Sequence, residues 1–351
     1  MAKKSRQQFV QMTALAIVTG YCTLAIAQSP DQITLGNAHQ VELLATIDKR
    51  VNEALPGPER DEVTLNLAGR SVWIVDDQNF QLKRKVGPQR RNRFTPSPMP
   101  GVLSWLDGQN FFVEFADNTQ KQFPRGETPQ NPALSPDHSL AAIGDAISTG
   151  NEGDGFSRVR VYDVQSGKLI HDLDTGSQGW SAVNPCFSPD GKLLAVGSRN
   201  YEMRLFDVAS GKLLREFPKR RSHDIAFSPD GKTIAAGYVD GTLAIWDVTS
   251  GRLLRSTKTD CEEVYRVSWN QQGDLLVTGG LGGSITLWNP KSLGVVKNLM
   301  PSQWTGSARF THDGTRLLVT SSDKDPNKFS FSKHVKLYVW SVSAAAPTGG
   351  E

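Results

Sequence analysis

Cysteine is scarce: Cys22, Cys186 and Cys261 are the only three in 351 residues. That number rules out a disulfide-built fold and a paired CxxC zinc site. GxSxG and HExxH are absent, so the commonest nucleophile and zinc-protease signatures are excluded. The six histidines, His39, His138, His171, His223, His312 and His334, stand in no ligand spacing. Gly231-Lys232-Thr233 has the ending of a phosphate-binding loop, but Ala226 stands where that loop needs its first glycine. No catalytic constellation and no cofactor are expected.

Charge of one sign is also in short supply, with 39 basic against 36 acidic residues. Three of the basic residues, Lys3, Lys4 and Arg6, precede a mostly apolar run from Phe9 to Ile26 that closes on Ala25-Ile26-Ala27. This is the layout of a secretory signal with small residues at the cleavage point, so residues 1–27 are expected to be removed before Gln28. The mature protein would be exported, periplasmic or secreted, with a membrane link only if the segment stays as an anchor. Without those three cations, 36 basic residues face 36 acidic ones, which gives no support for a nucleic-acid partner. Cys186 and Cys261 fall in different repeat units, where a disulfide has no positional support.

After a polar lead, Val41, Leu44, Ile47, Val51 and Leu55 recur at helical spacing, which predicts one short amphipathic helix over 41–55 within a lead of 28–62. Pro56-Gly57-Pro58 ends it. From 63 to 132 come strand-like runs separated by Asp-, Gly- and Pro-bearing turns. Trp105-Leu106-Asp107-Gly108 is a weak echo of a turn that becomes explicit further along the chain.

Beyond residue 133 the chain is plainly repetitive. A turn recurs as Ser135-Pro136-Asp137, Ser188-Pro189-Asp190-Gly191, Ser228-Pro229-Asp230-Gly231, Asn270-Gln271-Gln272-Gly273 and Thr311-His312-Asp313-Gly314. A second signature closes a later strand: Tyr162-Asp163, Phe206-Asp207, Trp246-Asp247, Trp288-Asn289 and Trp340-Ser341. The spacing is 17 residues from 190 to 207, 230 to 247 and 272 to 289, but 26 from 137 to 163 and 28 from 313 to 341. Two units therefore carry insertions, placed at 145–158 and 321–335, between their second and third strands.

The FSPDGK turn, the aromatic-Asp dipeptide and the SGK or SGR turn after it resemble the WD40-repeat β-propeller family, well over 134–342 and poorly over 63–133. The Gly-His pair that opens the family's repeat is missing, and only Asp240 matches the acidic position of its polar network. The resemblance implies an all-β fold, a WD40-like β-propeller over 63–342 with seven blades or, alternatively, six; the stretch 343–351 beyond it is expected to be a disordered tail. It also implies ring closure, in which an N-terminal strand supplies the outer edge of the last blade.

The implied function is a non-catalytic protein–protein interaction scaffold, expected to be a monomer with another protein as partner. The alternative is a propeller enzyme or a carbohydrate- or small-ligand-binding protein using the central channel mouth. Second-to-third-strand loops and fourth-to-first-strand connections open on one face of such a ring. The candidate binding face therefore comprises Asp145, Asn151, Glu152 and Asp154 in one insertion, and Asp323, Lys324, Lys328, Phe329 and Lys333 in the other. Asn200, Tyr201 and Asp240 are added from the regular turns, with Lys219, Arg220 and Arg221 from a connection. The oxygens of 145–154 could serve calcium, but their spacing fits no EF-hand loop, and the stretch reads as solvated.

Overall fold

Period-2 alternation, with Ile225 and Phe227 buried and Asp224 and Ala226 partly exposed, makes each repeat a run of antiparallel strands. The computed structural model describes residues 32–47, 51–59, 61–67, 71–77, 79–86, 93–95, 101–107, 110–124, 128–148, 155–178, 183–198, 202–218, 220–302, 304–322 and 335–342.

The chain enters through β1 (Val41–Ile47) and then runs in fours. The first run is β2 (Val51–Pro56), β3 (Glu62–Leu67), β4 (Ser71–Asp76) and β5 (Leu82–Val86); the second is β6 (Arg93–Thr95), β7 (Val102–Asp107), β8 (Asn110–Phe115) and β9 (Gln120–Pro124). The third is β10 (Thr128–Leu134), β11 (Leu140–Ser148), β12 (Gly155–Asp163) and β13 (Leu169–Gln178); the fourth is β14 (Val183–Phe187), β15 (Leu193–Ser198), β16 (Arg204–Asp207) and β17 (Leu213–Glu216). The fifth is β18 (Ser222–Phe227), β19 (Thr233–Tyr238), β20 (Thr242–Asp247) and β21 (Leu253–Lys258). The sixth is β22 (Glu263–Trp269), β23 (Leu276–Leu281), β24 (Ser284–Asn289) and β25 (Gly294–Pro301), and β26 (Trp304–Phe310), β27 (Arg316–Ser322) and β28 (Val335–Val342) come last.

Among the described residues the first five runs are separate four-stranded sheets, and the remaining strands form one curled sheet of eight. That sheet is two hairpin runs joined by a single pair, Leu281 with Trp304. Counted by sheets there are six units; counted by runs, seven. The first strands β2, β6, β10, β14, β18, β22 and β26 pack each on the next, and β26 packs on β2, so the circuit closes in a propeller-like ring. Apolar clusters fill the spaces between neighbouring runs: Ile225 and Phe227 of β18, for example, lie with Leu205, Phe217 and Trp246.

The expected helix over 41–55 is absent; the stretch forms β1 and β2. β1 pairs antiparallel with β28, Val41 opposite Val342 and Ile47 opposite Leu337, and so provides the outer edge of the last run. The ring thus begins before residue 63. Helical spacing failed here because Val41, Ile47 and Val51 are buried as strand residues, whereas Leu44, which a helix would have buried beside them, is half exposed.

The lead before β1 is docked as well. Ile33 is fully buried, its N–H donates to the Gly314 carbonyl at 2.8 Å, and its own carbonyl accepts from Asn270 Nδ2 at 3.1 Å. Asn270 thus serves where the other repeats have Ser or Thr. Its amide bonds both the turn residue Asp274, at 2.6 Å, and the N-terminal segment, which a hydroxyl is too short to do.

Candidate functional site

In an up-and-down run, the second-to-third connection and the exit to the next run lie at the same end of the strands. The β19–β20 turn at Asp240-Gly241 and the β17–β18 connection at 217–221 accordingly meet. Gly241 has φ +75°, and a Cβ there would collide with the Cys261 carbonyl, so only glycine fits against the β21–β22 connection.

Around this turn Arg220 Nη2 lies 3.2 Å from Asp240 Oδ2 and 3.3 Å from Thr242 Oγ1, with its guanidinium 4.5 Å from the centre of the Tyr238 ring. Lys258 Nζ approaches Asp240 Oδ2 from the other side at 3.3 Å. Burial alone would raise the Asp240 pKa, but hydrogen bonds from Thr242 and the Lys258 charge outweigh it and hold the carboxyl below its ordinary value. Beneath them, burial pushes the Tyr238 phenol up to about 12 while its oxygen accepts from Trp246 Nε1 at 2.9 Å. Phe217 meets the Trp246 ring edge-on. An exposed charged layer therefore rests on a rigid aromatic one. Arg221 is exposed beside it, its carbonyl accepting from Val239 N at 3.0 Å.

Of the expected face, Arg220, Arg221 and Asp240 are brought together. Asp145 is not with them. The insertion expected as a loop over 145–158 is mostly a lengthened hairpin, in which β11 and β12 pair without a break from Leu140–Asp163 to Ser148–Gly155. Asp145 is a strand residue, 1 % exposed, with Arg160 Nη1 3.2 Å from its Oδ2. It is turned away from solvent. Asn151, Glu152, Asp154, Asn200, Tyr201, Lys219, Asp323, Lys324, Lys328, Phe329 and Lys333 lie outside the described residues.

Sequence reasoning missed two groups. At the entry to β18, the buried His223 places Nε2 2.5 Å from Glu263 Oε2 of β22, and Tyr265 meets its ring at 4.3 Å between centroids. Within the channel, Arg309 of β26 reaches past β22 to Asp224 of β18, Nη2 to Oδ2 3.3 Å. The available signal was the charge itself: Asp224, Arg266 and Arg309 interrupt strands whose neighbouring positions, Ile225, Val267 and Phe310, are buried.

Elsewhere a cleft of about 150 Å³ opens between the first two runs, lined by Glu59, Glu62, Arg84 and Glu114. Arg84 Nη1 lies 2.8 Å from Glu114 Oε1, which closes that pair on itself. Among the described residues no cluster of three or more His, Cys, Asp or Glu could hold a metal ion. Cys186 and Cys261 are free thiols, and burial pushes the first up to about 11.

Two family models match the chain. One, described as the WD domain, G-beta repeat, covers residues 167–207. The other, described as the anaphase-promoting complex subunit 4 WD40 domain, covers 218–272. The matches fall on the fourth strand of the third run, most of the fourth run, the fifth run and the start of the sixth.

Proposed function

Since the chain belongs to the WD40-repeat β-propeller family, we propose that it is a non-catalytic scaffold for another protein, docking it on the face that carries Arg220, Arg221 and Asp240. Propellers of this family are commonly interaction scaffolds, and the warrant from fold to function is an analogy. The observation that carries the reading is the layered build of this face. Arg220, Asp240 and Lys258 hold one another in place over Tyr238 and Trp246, so a partner meets a preorganised surface. The protein acts as a monomer, exported to the periplasm or secreted. Its basic-then-apolar N-terminal segment supports that placement.

The test is affinity capture from the native envelope, using exported chain whose intact mass places its N-terminus at Gln28. Arg221→Glu and Lys258→Glu are expected to cut retention of the captured protein roughly tenfold. Lys192→Glu, in a turn at the opposite end of the strands, should leave retention unchanged. Excision of 149–154 together with 324–333 reports on the two long connections. Equal retention by the wild-type chain and all these variants would refute the docking face.

A further inference from the structure

The inner strands of the sixth and last runs carry a second kind of chemistry. β14, β18, β22 and β26 pack side by side in the ring, and polar side chains stitch their facing edges. Asp224 Oδ2 accepts from Val267 N at 3.0 Å, and Trp269 Nε1 donates to the Ala226 carbonyl at 3.1 Å. Arg266 Nε donates to the Gly306 carbonyl at 2.6 Å and its Nη1 to Tyr265 O at 3.4 Å. Arg309 Nη1 donates to the Val267 and Ala308 carbonyls at 3.2 and 3.1 Å. β22 lies between β18 and β26, so the Arg309–Asp224 bridge has to cross it on the open, channel side.

Stitching does not use up these guanidiniums. Each has five N–H donors, of which Arg266 engages two and Arg309 three among the described residues. Four of the five engaged donors end on neutral carbonyls, which orient the fork without cancelling its charge. Among the described residues the carboxylate bonded to this pair is Asp224, and it is already shared among Ile225 N, Val267 N and Arg309. Arg309 and Asp224 keep 21 % and 13 % of their side-chain surface, so the group touches channel water. Glu53 stands half-buried on β2, the next inner strand, and has contacts of its own.

We infer that the channel beside β18, β22 and β26 is an anion site in which Arg266 and Arg309 bind a carboxylate with their spare N–H donors. Two planar forks, fixed beforehand by backbone carbonyls, match carboxylate oxygens pairwise. Little side-chain entropy is left to lose on binding. The carboxylate comes from a small organic acid or from an acidic side chain inserted by a protein. The site does not depend on the docking-face reading, because it needs none of that face's residues.

Calorimetric titration of the full chain at low salt with citrate and, separately, a capped hexaglutamate peptide tests this. At least one probe should bind, and Arg266→Gln and Arg309→Gln should each weaken it roughly tenfold. Citrate binding alone points to a small acid; a clear preference for the peptide points to acidic side chains. Asp224→Asn removes the competing carboxylate and should tighten binding about threefold, a gain that a purely structural role for these residues would not produce. If a glutamine variant fails to fold, Arg266→Lys keeps the charge and loses the fork, and should still weaken binding. No binding of either probe at about 10 mM, or binding unchanged in the arginine variants, would overturn the inference. The same holds if the variants lower only the thermal midpoint.

Discussion

Aspartates at the repeat turns act through hydrogen bonds. In the Ser228-Pro229-Asp230-Gly231 turn, Asp230 Oδ1 accepts from Ser228 Oγ at 2.6 Å and from Lys232 N at 3.0 Å, while Ser228 Oγ accepts from Thr233 N. Asp190 repeats the arrangement with Ser188 and Lys192. The aromatic-Asp and Ser-Gly signatures co-occur for a related reason: Asp247 Oδ1 accepts both the N–H and the hydroxyl of Ser250, three residues on, and Asp207 does so from Ser210. The serine hydroxyls, first among these donors, hold the carboxyls of Asp190, Asp207, Asp230 and Asp247 below their ordinary range. A carboxyl whose folded pKa is depressed stabilises the fold fully above its unfolded pKa of about 3.9, and the contribution fades as pH falls toward the folded value. Thermal midpoints measured from pH 6 down to pH 2 should therefore drop below about pH 4. Asp230→Asn together with Asp190→Asn should lower the midpoint at pH 6 and flatten that drop. An equally steep acid transition in the double variant would refute this origin.

At the scale of the element, the N-terminal strap and β1 join the two ends of the chain. Ile33, Ala38 and Val41 are fully buried in the cluster that holds Phe310, Leu317 and Trp340. Ile33→Ala should cost about 2–5 kcal/mol by denaturant titration, the usual toll for emptying a packed aliphatic site. Removing 28–47 should cost more and promote association, since it uncovers the edge of β28. A truncated chain with an unchanged midpoint would contradict the strap's role. The regular repeats were legible in the sequence because their turns demand particular residues, such as Gly231 and Gly251 at φ near +70°. β1 was not, because an edge strand buries only its ends, and Val41, Leu44 and Ile47 suit a helix equally well. The 145–158 insertion was legible in length only. Spacing counts residues, and whether they extend a hairpin or form a loop depends on partners such as Arg160 for Asp145. Arg220 and Asp240 were legible as neighbours because turn order alone places them at one end of the strands. Their aromatic support was not, because Phe217 and Trp246 meet only once the fourth and fifth runs pack together.

For the whole molecule, the seam where the last run meets the first decides whether the ring holds together. β2 packs on β26, β27 and β28 there, and Ser307 Oγ both donates to and accepts from the Ala54 backbone. Into this seam the chain places Arg316, 1 % exposed, 5.8 Å from the centre of the Phe80 ring. Burial pulls the Arg316 pKa down, while Asp77, Asp313 and Asp76 favour its charged form; Asp77, at 1 % exposure, is as deeply buried as the arginine. A buried charge left without its counter-charge costs about 3–5 kcal/mol, whereas replacing both members by neutral groups is far less harmful. Arg316→Met and Asp77→Asn should therefore each lower the denaturant midpoint sharply, and the double variant should lose much less than the two losses combined. The cycle should show coupling of at least about 1 kcal/mol. The same pair of substitutions should leave anion binding in the channel intact, since Arg266 and Arg309 are anchored by β18, β22 and β26 and not by Arg316 or Asp77. Additive losses would mean that Asp77 is not the partner that holds Arg316 at the seam. Coupling would place the decisive ionic contact of the ring between residues 239 positions apart, at the seam where the last run meets the first.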